Sequence, residues 1–341
     1  MLSSVQVASS FESYLNPSSA PPKQEKRRVD PFPLKRTFTP LPLWQNLEMK
    51  RTYYDTITKG KKPIKGRRPV FHVVVANPAS GKSTAMRKIL ANDPNIVMVE
   101  RDDLVMLYPR LEYAMRHNPT KWGRGIRVSE GIDRYVDRDL IDGLMEKRYD
   151  VLHSTVTNLI EHVDKAKKAD YDPKMNLIMV PTHVAKLRSI RRFLSAPPNS
   201  TDRRVILAKQ YDDPVKGFDV RMKAAMKKLY DKYPNFEISV IYQLNDADKH
   251  KKTTIRSYND FIHLHDMVNQ PPTDMKIIKS YNDEIKHWRN ELYRQFPPEK
   301  HLMPMHHFQQ TLDLMHELPV PEVRKGLQKL MKRNLARVQV A

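Results

Sequence analysis

Residues Phe71–Lys88, FHVVVANPASGKSTAMRK, restrict the fold of this chain more than any other stretch. Phe71–Val75 is an apolar, β-branched run, the composition of a strand buried on both faces. The chain then turns through small residues and continues from Lys82 to Lys88 in sequence that suits a helix. Strand, small-residue loop, Gly-Lys-Ser and helix together form the P-loop pattern. In that pattern successive backbone N–H groups converge on a phosphate above the positive end of the helix. The candidate nucleotide-binding residues are therefore Asn77, Pro78, Ala79, Ser80, Gly81, Lys82, Ser83 and Thr84. Lys82 is expected to reach the β- and γ-phosphates of ATP, and the Ser83 hydroxyl to ligate Mg²⁺. One position departs from the pattern. Ala76 stands where the first glycine is usual, and its methyl is tolerated if φ stays negative.

The charge balance is the second constraint. Sixty Lys and Arg against 39 Asp and Glu give the 341-residue chain a net charge of +21 and a pI near 9.8. Such a surplus favours polyanionic partners: nucleic acid, anionic lipid or acidic protein. With no cysteine, disulfides, zinc–thiolate sites and cysteine nucleophiles are excluded. No apolar run approaches the length of a membrane span. Met1–Ala20 lacks the apolar core of a secretory signal and the early arginines of a mitochondrial presequence. The expectation is a soluble intracellular protein, cytoplasmic by default.

Three regions follow from composition. Residues 1–69 read as a basic, proline-rich and flexible arm, with the cluster Lys23–Arg28, prolines at 31, 33, 40 and 42, and a second basic run, Lys59–Arg68. Trp44, Leu47 and Tyr53-Tyr54 suit a short anchoring helix within it. The arm is either an electrostatic contact for nucleic acid or a partner protein, or a solvated linker. Residues 70–250 alternate strands with helices. Strands are expected at Phe71–Val75, Ile96–Val99, Tyr149–His153, Leu177–Val180 and Phe236–Tyr242. Helices are expected at Ile126–Arg148, Ala185–Leu194 and Ala208–Tyr233. This alternation predicts an α/β fold with a parallel sheet flanked by helices on both faces, the P-loop NTPase kinase arrangement. Residues 251–341 read as a helical extension, with helices over Ser257–Met267, Lys276–Phe296 and His307–Glu317 and a basic amphipathic tail, Glu322–Val338.

Beyond the P-loop, Asp102-Asp103 follows the second strand. Ligands of doubly wound sheets sit beyond the carboxyl ends of strands, so an aspartate there can accept the proton of an attacking hydroxyl. It can equally cap a helix. Arg188, Arg191, Arg192, Arg203 and Arg204 form either a lid that stabilises a phosphoryl group in transit or a basic surface. Lys121–Gly125, KWGRG, is a stacking loop or a surface turn. His263, His265, His306 and His307 lack metal-ligand spacing and are read as non-ligands.

From Val75 to about Asn245 these residues resemble the zeta toxin group of P-loop kinases. The likeness runs through Asn77–Ser83, Glu100-Arg101-Asp102-Asp103-Leu104, Tyr108-Pro109, Lys147–Leu152, Lys174–Pro181, Arg191-Arg192, and Ile241-Tyr242 with Asn245. The resemblance implies a kinase that uses ATP and Mg²⁺ to phosphorylate the sugar of UDP-N-acetylglucosamine. It also implies Asp102 as catalytic base, Lys82 at the phosphates, Arg192 as one lid arginine and Arg203 or Arg204 as another. This chain has His153-Ser154-Thr155 where that family has Glu-Gly-Thr, and Thr157 near its next arginine. The acceptor is therefore open between a UDP-sugar and a similar small hydroxyl compound. Arg101-Asp102-Asp103 and Thr157-Asn158 also resemble 5′-polynucleotide kinases, which the positive charge would suit. Val156 replaces the aspartate expected before that Thr-Asn pair. A third reading is a basic structural protein, associated with nucleic acid, that keeps a degenerate kinase fold.

Overall fold

The computed structural model describes residues 38–117, 122–155, 158–197, 209–213, 217–246, 248–300, 303 and 305–319. The expectations for the arm before residue 38, for Lys121, Val156, Thr157, Arg203 and Arg204, and for the tail Glu322–Val338 lie outside these residues.

Strand β1 (Val70–Ala76) is hydrogen-bonded in parallel on both edges, to β3 (Val151–Thr155) and to β4 (Asp172–Met179). A strand paired on both sides and covered on both faces needs apolar side chains at successive positions, which Val73-Val74-Val75-Ala76 supply. Adding β2 (Val97–Val99), β5 (Ile238–Tyr242) and β6 (Lys251–Ile255) gives a six-stranded sheet of order β2-β3-β1-β4-β5-β6, in which β6 alone runs antiparallel. β6 was not expected from the sequence, because in Lys251-Lys252-Thr253-Thr254-Ile255 only Ile255 is buried. Its lysines and threonines blunt the sheet's edge. β4 begins earlier than its apolar run indicates, at Asp172-Pro173. Pro173 is accommodated there because β5 joins β4 only from Met175 onward.

Strand alternation divides the core. Val74, Ala76, Leu152 and Ile178 face α2 (Lys82–Asn92) through Ala85 and Met86. Phe71, Val73, Val75, Val151 and Leu177 face the larger cluster, which includes side chains of α8 (Leu159–Lys168), α11 (Phe218–Lys232) and α12 (Tyr258–Asn269). The helix expected over Ile126–Arg148 is several pieces: α5 (Trp122–Ser129), α6 (Ile132–Arg134), a π-helical turn (Tyr135–Leu140) and α7 (Ile141–Glu146). Gly131, at φ 61°, makes the break. Ile132, Val136, Leu140 and Leu144 are all buried nonetheless, so the apolar stripe survives the change in winding.

Before the sheet, α1 (Leu43–Thr58) is held by Met49 and Tyr53, whereas Trp44 is 63% exposed. After it, α13 (Met275–Gln295) and α14 (Met305–Leu312) share a second apolar cluster with α9 (Thr182–Ser195). Phe193 of α9 stacks on Phe296 with ring centroids 5.5 Å apart. The Arg191 guanidinium donates to Glu284 of α13 at 2.9 Å. Each C-terminal helix alone would leave one apolar face in water; α9 covers it.

His183 packs edge-on to Tyr281 across the same contact, with centroids 5.4 Å apart. Burial pushes its imidazole down to about 4, and Lys186 works in the same direction against Asp246. The folded state then binds fewer protons than the unfolded one between pH 6.5 and about 4, so stability falls as pH drops through that window. This histidine is expected to remove about 2 kcal/mol of stability between pH 7 and pH 5. In His183→Gln the difference in urea-unfolding stability between the two pH values should shrink by about that amount.

Candidate active site at the P-loop

The loop leaves the sheet at Ala76, which pairs with Ile178 and keeps negative φ as the last residue of β1. The left-handed backbone that the turn requires falls instead on Ala79 (φ 60°) and Gly81 (φ 88°). Gly81 precedes α2, and no side chain caps that helix. The first N–H groups of α2 therefore point into the loop, where an anion satisfies them. Ser83 and Thr84 are exposed on the first turn, and Ser80 is buried inside the loop.

The loop's shape is set from outside. Asn77 Nδ2 donates to Asp219 of α11 at 3.0 Å, and the other carboxylate oxygen of Asp219 accepts from the Thr182 hydroxyl at 2.8 Å. Thr182 in turn meets Asn269 of α12 through both its backbone N–H and its hydroxyl. Burial alone would raise the Asp219 carboxyl, but hydrogen bonds from His265, Thr182 and Asn77 hold it below its ordinary range. The Tyr211 hydroxyl adds a bond to the Pro78 carbonyl at 3.2 Å. His265, read from sequence as a non-ligand, lies 3.7 Å from Asp219 and supports this network.

Lys82 Nζ donates to Ser154 Oγ at 2.8 Å and lies 3.5 Å from Glu100 Oε1. Glu100 ends the approach to α3 (Arg101–Met106), whose first turn carries Asp102 and Asp103. Burial raises the Asp103 carboxyl, and Glu100 and Asp102 raise it further against Lys82. The Tyr53 hydroxyl grips this strand end twice. It donates to the Glu100 carbonyl at 2.8 Å and accepts from the Glu100 N–H at 2.9 Å. Arg101 points away and donates to the Ser154 carbonyl at 3.1 Å.

A cleft of about 260 Å³ brings together Ser83, Arg87, Glu100, Asp102, Asp103, Trp122 and Arg192, with Met86, Met98 and Met106 as its apolar wall. Of the arginines expected from sequence, Arg192 lines this cleft. Arg188 is bound to Asp246 (2.7 Å) and Gln243 (2.9 Å), and Arg191 is bound to Glu284 and Asp246. Trp122 is buried at the start of α5, not on a surface turn. Sequence reasoning missed the grip of Tyr53 on Glu100, the contact of Ser154 with Lys82, and Asp219 altogether. Tyr53 and Asp219 act through contacts 47 and 142 residues away, which no local pattern announces.

The model of the Zeta toxin family matches residues 54–258, more than half of the chain. The chain belongs to the zeta toxin family. Among solved structures, a chain from the PezAT chromosomal toxin–antitoxin system of Streptococcus pneumoniae is similar, with a TM-score of 0.52 at 14% identity. The match covers 74% of this chain and 97% of that one, and establishes a shared fold. Two structures of the AvrRxo1-ORF1:-ORF2 complex, one native and one with ATP, match more distantly, each with a TM-score of 0.40 and 10% identity. They cover 70% and 80% of this chain and 76% and 81% of theirs. No curated protein matches. Within the zeta toxin fold seen here, β3 carries His153, Ser154 and Thr155 as strand residues, and Ser154 is the partner of the P-loop lysine.

Tyr53→Phe removes two hydrogen bonds from partly buried backbone groups and should cost about 1–2 kcal/mol, read from the urea unfolding midpoint.

Proposed function

We propose that this protein is an ATP-dependent phosphotransferase of the zeta toxin type, moving the γ-phosphate of ATP to a hydroxyl of a sugar nucleotide or similar small acceptor. One observation carries the reading: a single cleft holds Ser83 of the P-loop, Asp102 beyond β2 and Arg192 of α9. Those are three side chains that phosphoryl transfer needs in one place, drawn from elements far apart in sequence.

Backbone N–H groups of Asn77–Thr84 cradle the phosphates, and Lys82 turns from Ser154 and Glu100 to the β- and γ-oxygens. The donor set suits Mg²⁺: the Ser83 hydroxyl and the Asp103 and Glu100 carboxylates are hard oxygen ligands that would hold it. When bound, the ion neutralises charge on the β- and γ-phosphates. Asp102 orients the acceptor hydroxyl and takes its proton as the new P–O bond forms. Arg192 stabilises the charge spread over the transferring phosphoryl oxygens. Trp122 and the methionines give the acceptor an apolar wall.

The net charge of +21 favours a second reading, a 5′-hydroxyl nucleic acid acceptor engaged with help from the basic arm. Transfer from γ-labelled ATP to a panel of UDP-sugars and 5′-hydroxyl oligonucleotides separates the two. Label is expected on a UDP-sugar, with Asp102→Asn lowering the rate at least about 100-fold. Label on oligonucleotides alone would select the second reading. Label on neither, with ATP still bound, would leave a nucleotide-binding scaffold. Mg-ATP should also raise the melting temperature of the wild type and leave that of Lys82→Ala unchanged.

A further inference from the structure

A second cluster of chemistry lies on the far face of β3. Strand alternation directs Ser154 to Lys82 and its neighbour His153 to the opposite face. There α8 supplies His162 and the π-helical turn supplies Asp137. None of these three belongs to the P-loop cleft.

His153 Nδ1 lies 3.2 Å from the Val99 carbonyl oxygen. A carbonyl only accepts, so Nδ1 carries a proton and donates it. That contact assigns the tautomer and leaves Nε2 as the atom that can offer a lone pair. His153 is fully buried, and Nε2 has no hydrogen-bond partner; it faces Asp137 Oδ1 at 3.6 Å. His162 is 3% exposed, and neither of its ring nitrogens has a hydrogen-bond partner. Its ring stands edge-on to His153, with centroids 5.1 Å apart. One ligand atom from each of Asp137, His153 and His162 falls within 4.8 Å of the others.

Buried nitrogens without partners are rare and ask for an explanation. A metal ion supplies one for a nitrogen of each ring. Ligand bonds of about 2.1 Å to a tetrahedral ion separate the donor atoms by about 3.4 Å, close to the gap between His153 and Asp137. An imidazole whose other N–H donates to a backbone carbonyl is the usual second contact of a ligating histidine. π-Helical turns, such as the one that carries Asp137, concentrate at functional sites.

We propose that Asp137, His153 and His162 bind one divalent transition-metal ion of the zinc class, distinct from the Mg²⁺ expected at Ser83. Two imidazoles and one carboxylate favour such an ion over Mg²⁺, which takes oxygen ligands. Asp137 and His162 also line a cleft of about 770 Å³, together with Asp133, Arg134, Arg138, Asn158, Glu161, Asp164 and Lys165. Arg101, Lys165, Arg134 and Arg138 are cations beside the cluster or its cleft, and Asp133, Glu161 and Asp164 are the further anions. The Asp137 carboxylate contacts the Arg101 guanidinium and has lone pairs enough to ligate an ion as well.

The test uses the full chain, stripped with chelator and free of nucleotide and Mg²⁺. Co²⁺, a spectroscopic stand-in for Zn²⁺, should bind at one equivalent with the visible absorption of a four- or five-coordinate ion, and Zn²⁺ should displace it. X-ray absorption of the wild-type zinc form should count two imidazoles per ion. His162→Ala should weaken binding by about 100-fold or more, beyond the effect of losing a supporting contact. Lys82→Ala should leave it unchanged. Failure to bind one equivalent, a different imidazole count, or unchanged affinity in His162→Ala would each overturn the assignment. The wild-type spectra decide the matter even if the variant does not fold.

Discussion

Parallel pairing of β1 on both edges is the constraint from which the rest follows. It demands an unbroken apolar run, places that run at the middle of the sheet, and delivers the chain to the P-loop at a point that cannot shift. Everything that touches phosphate in the proposed reaction is referenced to this strand. α2 packs on one face of it through Ala85 and Met86, and β3 brings Ser154 alongside. The loop's conformation is held by Asp219, Thr182 and Tyr211, which stand on helices that follow much later in the chain.

The charged groups are arranged on the same principle. Lys82 rests between the Ser154 hydroxyl and the Glu100 carboxylate, which together offset the cost of its partial burial. Burial and two neighbouring acids raise the Asp103 carboxyl, and Lys82 works against them, so the strand end gathers its acids around the P-loop lysine. Two of the three arginines on α9 are committed to Asp246 and Glu284, an arrangement that positions the helix and leaves the third to line the cleft.

The parts of this design that depend on local pattern were legible in the sequence. The apolar run at β1, the Gly-Lys-Ser turn and the acidic strand end each announce themselves within a few residues. The sheet's sixth strand did not, because an edge strand exposed on most of its length carries no apolar signal. The division of Ile126–Arg148 into several helical pieces was hidden for the opposite reason: its apolar stripe persists through Gly131 and the π-helical turn, so the period looked unbroken. Tyr53 was legible only as an anchor of α1, and Asp219 not at all, because each works across the fold. His153 could be seen as a departure from the family's pattern, but its pairing with His162 and Asp137 needed the strand's true register.

That register has a consequence for how this part of the chain can change. Ser154 and His153 are adjacent residues that serve opposite sides of the sheet. A single inserted or deleted residue within β3 would exchange their faces, aiming an imidazole at Lys82 and a hydroxyl into the aromatic interior. Drift in β3 must therefore proceed by replacement at constant length. Replacing His153 or Ser154 one at a time changes one side of the sheet while the strand itself keeps step.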